Sequence, residues 1–180
     1  YPGWFSKDSI GSGTPFILYW PTTIDSKFVK EIVNIDNKSI EITPTNQMNL
    51  SPHKFTFDKP EILPYESDEK QEIFFGRLVG ARSGDKGGCA NLGVWVKTDD
   101  AYSFLFHYLT VDKLKELLKD LEQYDIERYD FPNVRAVNFY IHGILGDGAS
   151  SNTKVDALAK SLGEYLRAKK VSIPKQLIED

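Results

Sequence analysis

The sequence predicts an α+β fold, a mostly antiparallel sheet with its helices gathered on one face. Two observations carry this. Short β-prone runs from residue 71 onward come in pairs that bracket helical stretches, in the order strand, strand, helices, strand, strand, helix. The helical stretches are amphipathic, so each has one side to lay on a sheet. A chain of 180 residues supports one sizeable core. Residues 71–180 are therefore read as the main domain, and residues 1–70 as an irregular appendage or linker, the tail of a preceding larger domain or an insertion.

Up to about Trp20 the chain is rich in Gly, Pro and aromatics without a sustained period, as expected of an irregular segment packed against something else. In "EIVNIDNKSIEITP", the runs Ile32 to Ile35 and Ile40 to Ile42 flank a turn at Asp36-Asn37-Lys38, which predicts a hairpin. Pro44, Pro52, Pro60 and Pro64, then "ESDEK", predict an extended linker or surface loop to about Gln71.

"IFFGRLVGA", from Ile73, has the length of a buried strand and runs into the glycine-rich "RSGDKGGCAN", Arg82 to Asn91. In "NLGVWVK", Leu92, Val94 and Val96 alternate on one side of a second strand. A helix is favoured for "DAYSFLFHYLT". A second follows, with Val111, Leu114, Leu117, Leu118, Leu121 and Tyr124 at steps of three or four and Thr110 as N-cap. "ERYDF" and "VRAVNFYIHG", parted by Pro132, predict two more strands. A last helix is expected after "GDGASSN", with Val155, Leu158, Leu162, Tyr165 and Leu166 on one face up to "RAKK". A ferredoxin-like arrangement is the economical solution for this order.

The net charge of −4 and pI near 5.4 leave no broad basic face for a phosphate backbone, so nucleic acid is not an expected partner. Nor is a membrane, since no apolar run approaches the roughly 18 residues that span a bilayer. The chain reads as soluble and cytoplasmic, with the mitochondrion left open. It opens at Tyr1 without a methionine and so reads as part of a longer polypeptide. Three histidines and one cysteine have no metal-ligand spacing, and no metal site is expected.

Two constellations are candidate sites. The turn from Arg82 through Ser83, Gly84, Asp85, Lys86, Gly87 and Gly88 could present successive backbone N–H groups to an anion, with Arg82 and Lys86 adding charge and Asn91 following. The guest would be a small acidic ligand, a carboxylate or a phosphate such as that of an acyl-CoA. The spacing is neither a Walker A loop nor a dinucleotide fingerprint. A tight hairpin in which Ser83 and Asp85 cap the backbone and Asp85 pairs with Lys86 explains the same residues. The second constellation is Asn138, Tyr140 and His142, spaced to share one strand face. His142 is the candidate general base or donor to a thioester carbonyl, oriented by Asn138, with Asp85 as the third catalytic candidate; equally, the pair could satisfy loop backbone groups. Cys89 is a free thiol, read as a small packed residue rather than a nucleophile.

"ARSGDKGGCANLGV", "IERYDFPNVRAVNFYIHGILGDGAS" and the Asp-x-x-x-Lys helix, Asp156 to Lys160, in that order, resemble the small C-terminal domain of the acyclic terpene utilisation (AtuA-like) family. The resemblance covers roughly the last 105 residues. It implies a ferredoxin-like domain following a larger α/β domain, and a part in the catabolism of branched terpenoid acids as coenzyme A thioesters, with CoA entering as substrate and no separate cofactor. Family members usually carry Asp where Cys89 stands. Expected partners are the preceding large domain or a second copy in a homo-oligomer. The alternative reading is a non-catalytic docking or oligomerisation module of a larger protein.

Overall fold

The computed structural model describes residues 18, 20–42 and 61–178. The chain divides into two compact units, Trp20–Pro60 and one that includes the described residues from Glu61 onward. The smaller unit is a hairpin of β1 (Glu31–Ile35) and β2 (Lys38–Ile42). Asp36 and Asn37 form its two-residue turn at φ 48° and 62°, left-handed at both positions as a type I′ turn requires. Lys38, expected in the turn, pairs with Ile35 instead.

In the larger unit β4 (Gly80–Lys86), β5 (Cys89–Trp95), β6 (Ile126–Phe131) and β7 (Ala136–Ile141) make an antiparallel sheet of order β4-β5-β7-β6. A separate pair joins β3 (Lys70–Phe74) to β8 (Lys170–Pro174). The helices are α1 (Asp99–Tyr108), α2 (Val111–Leu117) and α3 (Leu162–Arg167). β5, α1 with α2, β6, β7 and α3 follow one another as in a ferredoxin-like sheet, but the fourth strand, β4, comes before the first instead of after the last helix.

α1 and α2 form where their caps say they should. Thr98 accepts from the Ala101 N–H at 3.2 Å, Thr110 from the Lys113 N–H at 3.1 Å, and Asp99, Asp100 and Asp112 sit in first turns. Leu105, Leu109, Leu114 and Leu118 close over Leu92, Val94, Val137, Phe139 and Ile141, all fully buried. Strand alternation sends those sheet residues to the helices and their neighbours to the opposite face.

Four expectations need correction. "IFFGRLVGA" is not one strand: after β3 the chain makes a 3₁₀ turn, Phe75–Arg77, that drives Phe75 into the core and carries the chain from the β3–β8 pair to the main sheet. The last helix starts only at Leu162, leaving Val155 fully exposed. Asp156 takes the N–H groups of Lys160 and Ser161 at 2.8 and 2.9 Å, and Ala159 adopts φ 52°, which no helix tolerates. Residues 61–69 are not free linker, because Ile62 and Tyr65 pack on the core and the Ile62 carbonyl lies 2.7 Å from Nε2 of His107. The glycine stretch is not an open loop: Arg82 to Lys86 belong to β4, in register with Cys89 to Gly93, and the turn is Gly87-Gly88 alone. No helix among the described residues is long and apolar enough to cross a membrane.

Candidate functional site

The sheet face turned away from the helices is paved in rows fixed by the strand register. Arg82, Gly93, Asn138 and Tyr129 make one row, and Gly84, Asn91, Tyr140 and Glu127 the next. Gly80, Trp95, Ala136 and Phe131 form a third, in which the Trp95 indole lies on Gly80 so closely that a Cβ there would stand 2.4 Å from the ring. Trp95, Tyr129 and Phe131 are exposed. Aromatic, polar and small residues share this face in equal parts, whereas the centre of the face beneath it, on β5 and β7, is apolar.

A cation is set on this face from outside the sheet. A Cβ on Gly84 would stand 3.1 Å from Nζ of Lys160 and 3.9 Å from Oδ1 of Asn91, so the absence of a side chain lets the ammonium lie over the strand. The main chain of Lys160 is pinned on both sides. Asp156 accepts its N–H, and Ser83, buried, donates to its carbonyl at 3.4 Å while accepting the Gly163 N–H at 2.9 Å. Lys160, Arg82, Ser83, Gly163 and Glu164 line a cleft of about 300 Å³. Among the described residues no acid pairs with the Arg82 guanidinium or the Lys160 ammonium; Glu164 is engaged through both oxygens by Nη1 of Arg167, at 2.9 and 2.8 Å. A larger cleft of about 500 Å³, floored by Leu121, Leu145, Ala159 and Leu162, shares the same segment through Asp156 and Tyr165.

His142 faces Glu127, with Nε2 2.6 Å from Oε1, and Tyr129 donates its hydroxyl to the other carboxylate oxygen. These contacts, Tyr129's first and His142's second, hold the Glu127 carboxyl below its ordinary range. The Tyr140 ring stands edge-on to His142, centroids 4.9 Å apart. A hydrogen bond with Cys89 is the main cause pushing the Tyr140 phenol up. Cys89 Sγ also accepts the Gly143 N–H at 3.4 Å.

Of the residues expected from sequence, Arg82, Lys86, Asn91, Asn138 and His142 share this face. Two roles change. Asn138 accepts from Nδ2 of Asn91 at 3.3 Å, and it is Glu127 that orients His142. Asp85 falls on the opposite face with Ser83, so β4 does not bring it to His142. The proposed nest of amides does not form. Gly84 and Lys86 are committed to the β5 ladder, the Gly88 carbonyl accepts the Leu145 N–H at 2.8 Å, and a Cβ on Gly88 would stand 2.1 Å from the Gly146 oxygen, so the protein's own backbone fills the turn. The Lys86 ammonium is exposed and, among the described residues, donates only to the Asp85 carbonyl, at 3.0 Å. Lys160, Glu127 and Tyr129 were not singled out as site residues. The Asp156-x-x-x-Lys160 spacing held the signal for the first, and the alternation of Glu127 and Tyr129 along "ERYDF" for the others.

An antiparallel β4-β5-β7-β6 sheet, helices on one face and a polar and aromatic surface on the other, defines a ferredoxin-like α+β domain. The family model described as the AtuA ferredoxin-like domain matches residues 74–172, and the chain belongs to that family. No curated protein and no solved structure matches the chain.

Proposed function

We propose that this domain binds an acidic small molecule, a carboxylate or the phosphate of an acyl-CoA, against the outward face of its sheet, as part of a larger acyl-handling assembly. The observation that carries the reading is the pairing of Arg82 and Lys160 in one cleft with no acid among the described residues answering either charge, in a chain whose net charge is −4. Asn91 lies beside the Lys160 ammonium and Asn138 beside Asn91, and their side-chain amides supply N–H donors for a carbonyl next to the charged group. The His142–Glu127 pair is the proton-transfer candidate of the same face, its imidazole oriented by the carboxylate. The apolar cleft on the same 156–165 segment suits a hydrocarbon chain of a ligand whose head is charged. A preceding large domain or a second copy completes the site by covering the exposed aromatic row.

Calorimetric titration of the chain with coenzyme A and with a branched terpenoid carboxylic acid tests this. Arg82→Ala and Lys160→Ala each weaken binding about 10-fold, the size of one charge-assisted contact, while Lys86→Ala changes little. Unaltered affinity in both variants ends the proposal. A second reading, a docking module, is favoured by one observation, the exposure of Trp95, Tyr129 and Phe131. Under that reading Trp95→Ala abolishes association with the partner domain and the ligand titrations are flat.

A further inference from the structure

The β1–β2 hairpin lies outside the residues that match the family model, and its two faces differ in kind. One face carries a single apolar residue, Ile32, among polar ones that satisfy each other: Ser39 donates to Oδ1 of Asn34 at 2.6 Å, and Lys30 lies 3.7 Å from Glu41. The other carries Val33, Ile35, Ile40 and Ile42, exposed at 40, 58, 51 and 41%. Glu31 stands at the open end of that face and Lys38 at the turn end, on opposite strands. Among the described residues neither side chain forms a hydrogen bond or an ion pair. Within one hairpin they cannot meet, since the length of the strands, roughly 13 Å, separates them.

A two-stranded hairpin is marginally stable in water by itself, and four β-branched side chains on one face need cover. We propose that a second copy of this chain supplies it, the two hairpins stacking apolar face to apolar face about a two-fold axis, with the turn of one over the open end of the other. Each Glu31 then shares an end with Lys38 of the second copy, one strand apart, and the symmetry makes the contact twice. The apolar patch is bounded by one acid and one base at opposite corners, a pattern complementary to itself. The patch is small for a specific interface, so the dimer is weak and reversible. This proposal is independent of the ligand reading above.

Sedimentation velocity of the full chain over a wide concentration range is the test. The expected result is a concentration-dependent monomer–dimer equilibrium that Ile40→Asp shifts at least 10-fold toward monomer. Glu31→Lys and Lys38→Glu each weaken the dimer, and the double reversal restores it toward the parent, a recovery that neither misfolding nor docking on another part of the same chain produces. A monomer at every concentration overturns the proposal, as does a dimer indifferent to Ile40→Asp or a double reversal no better than either single one.

Discussion

The imidazole of His142 and the carboxylate of Glu127 meet at 2.6 Å across β6 and β7, and Tyr129 binds the same carboxylate from the neighbouring position on β6. A charge held by two partners gives up its proton early. The Glu127 carboxyl therefore titrates below the usual range in the folded chain, Tyr129→Phe raises it more than His142→Gln does, and carbon-detected NMR of the side chain reads both. Because the folded pKa is depressed, the associated stability is present above the unfolded-state value and fades as pH falls through the folded one. Equal titration in parent and Tyr129→Phe would remove the tyrosine from the network.

Ser83 joins β4 to α3 through one hydroxyl. Ser83→Ala leaves the Gly163 N–H buried without a partner, a cost of about 1–3 kcal/mol, and the thermal midpoint drops by several degrees. The same substitution frees the backbone of Lys160 and weakens anion binding in parallel. A midpoint equal to the parent's would mean that water replaces the hydroxyl.

Two glycines four residues apart respond in opposite ways. Alanine at Gly84 meets only the far end of a flexible lysine, so Gly84→Ala folds with nearly unchanged stability but displaces the Lys160 ammonium and loses anion affinity. Alanine at Gly88 meets the Gly146 carbonyl, which cannot retreat without moving its loop, and Gly88→Ala loses about 1–3 kcal/mol in chemical denaturation. If Gly84→Ala proves the more destabilising of the two, the geometry assigned to Lys160 is wrong.

The contact between Tyr140 and Cys89 predicts a spectroscopic change. Removing the sulfur in Cys89→Ala takes away the main cause that raises the Tyr140 phenol, so its titration moves down toward that of an ordinary tyrosine. Alkaline difference absorbance, assigned with Tyr140→Phe, measures this. A Tyr140 curve unmoved by Cys89→Ala would exclude the hydrogen bond.

Much of the fold was legible because the signals were local. Thr98 and Thr110 mark helix starts, Asp36-Asn37 fits a turn that needs two left-handed residues, and the alternation of Leu92 and Val94 fixes which side of β5 is buried. Failures came where a long-range partner overrode the local text. The glycines of Arg82 to Gly88 read as a loop, but β5 takes Gly84 into a ladder, and the reason for a glycine there is the lysine from residue 160 lying on it. The apolar period through Val155 and Leu158 suggested helix, but Asp156 captures the backbone amides ahead of it. On the sheet face, single-strand spacing relates Asn138 to His142, whereas the Glu127 partner sits on another strand and is assigned only by register.

The antiparallel zipper between Lys70–Phe74 and Lys170–Pro174 has a consequence for biosynthesis. β3 leads into the sheet and its mate, β8, is the last strand among the described residues, so a chain emerging from the ribosome leaves Ile73 without its cross-strand partner Val171 until β8 has been translated. The β3–β8 pair is therefore the last of the described ladders to close as the chain is made.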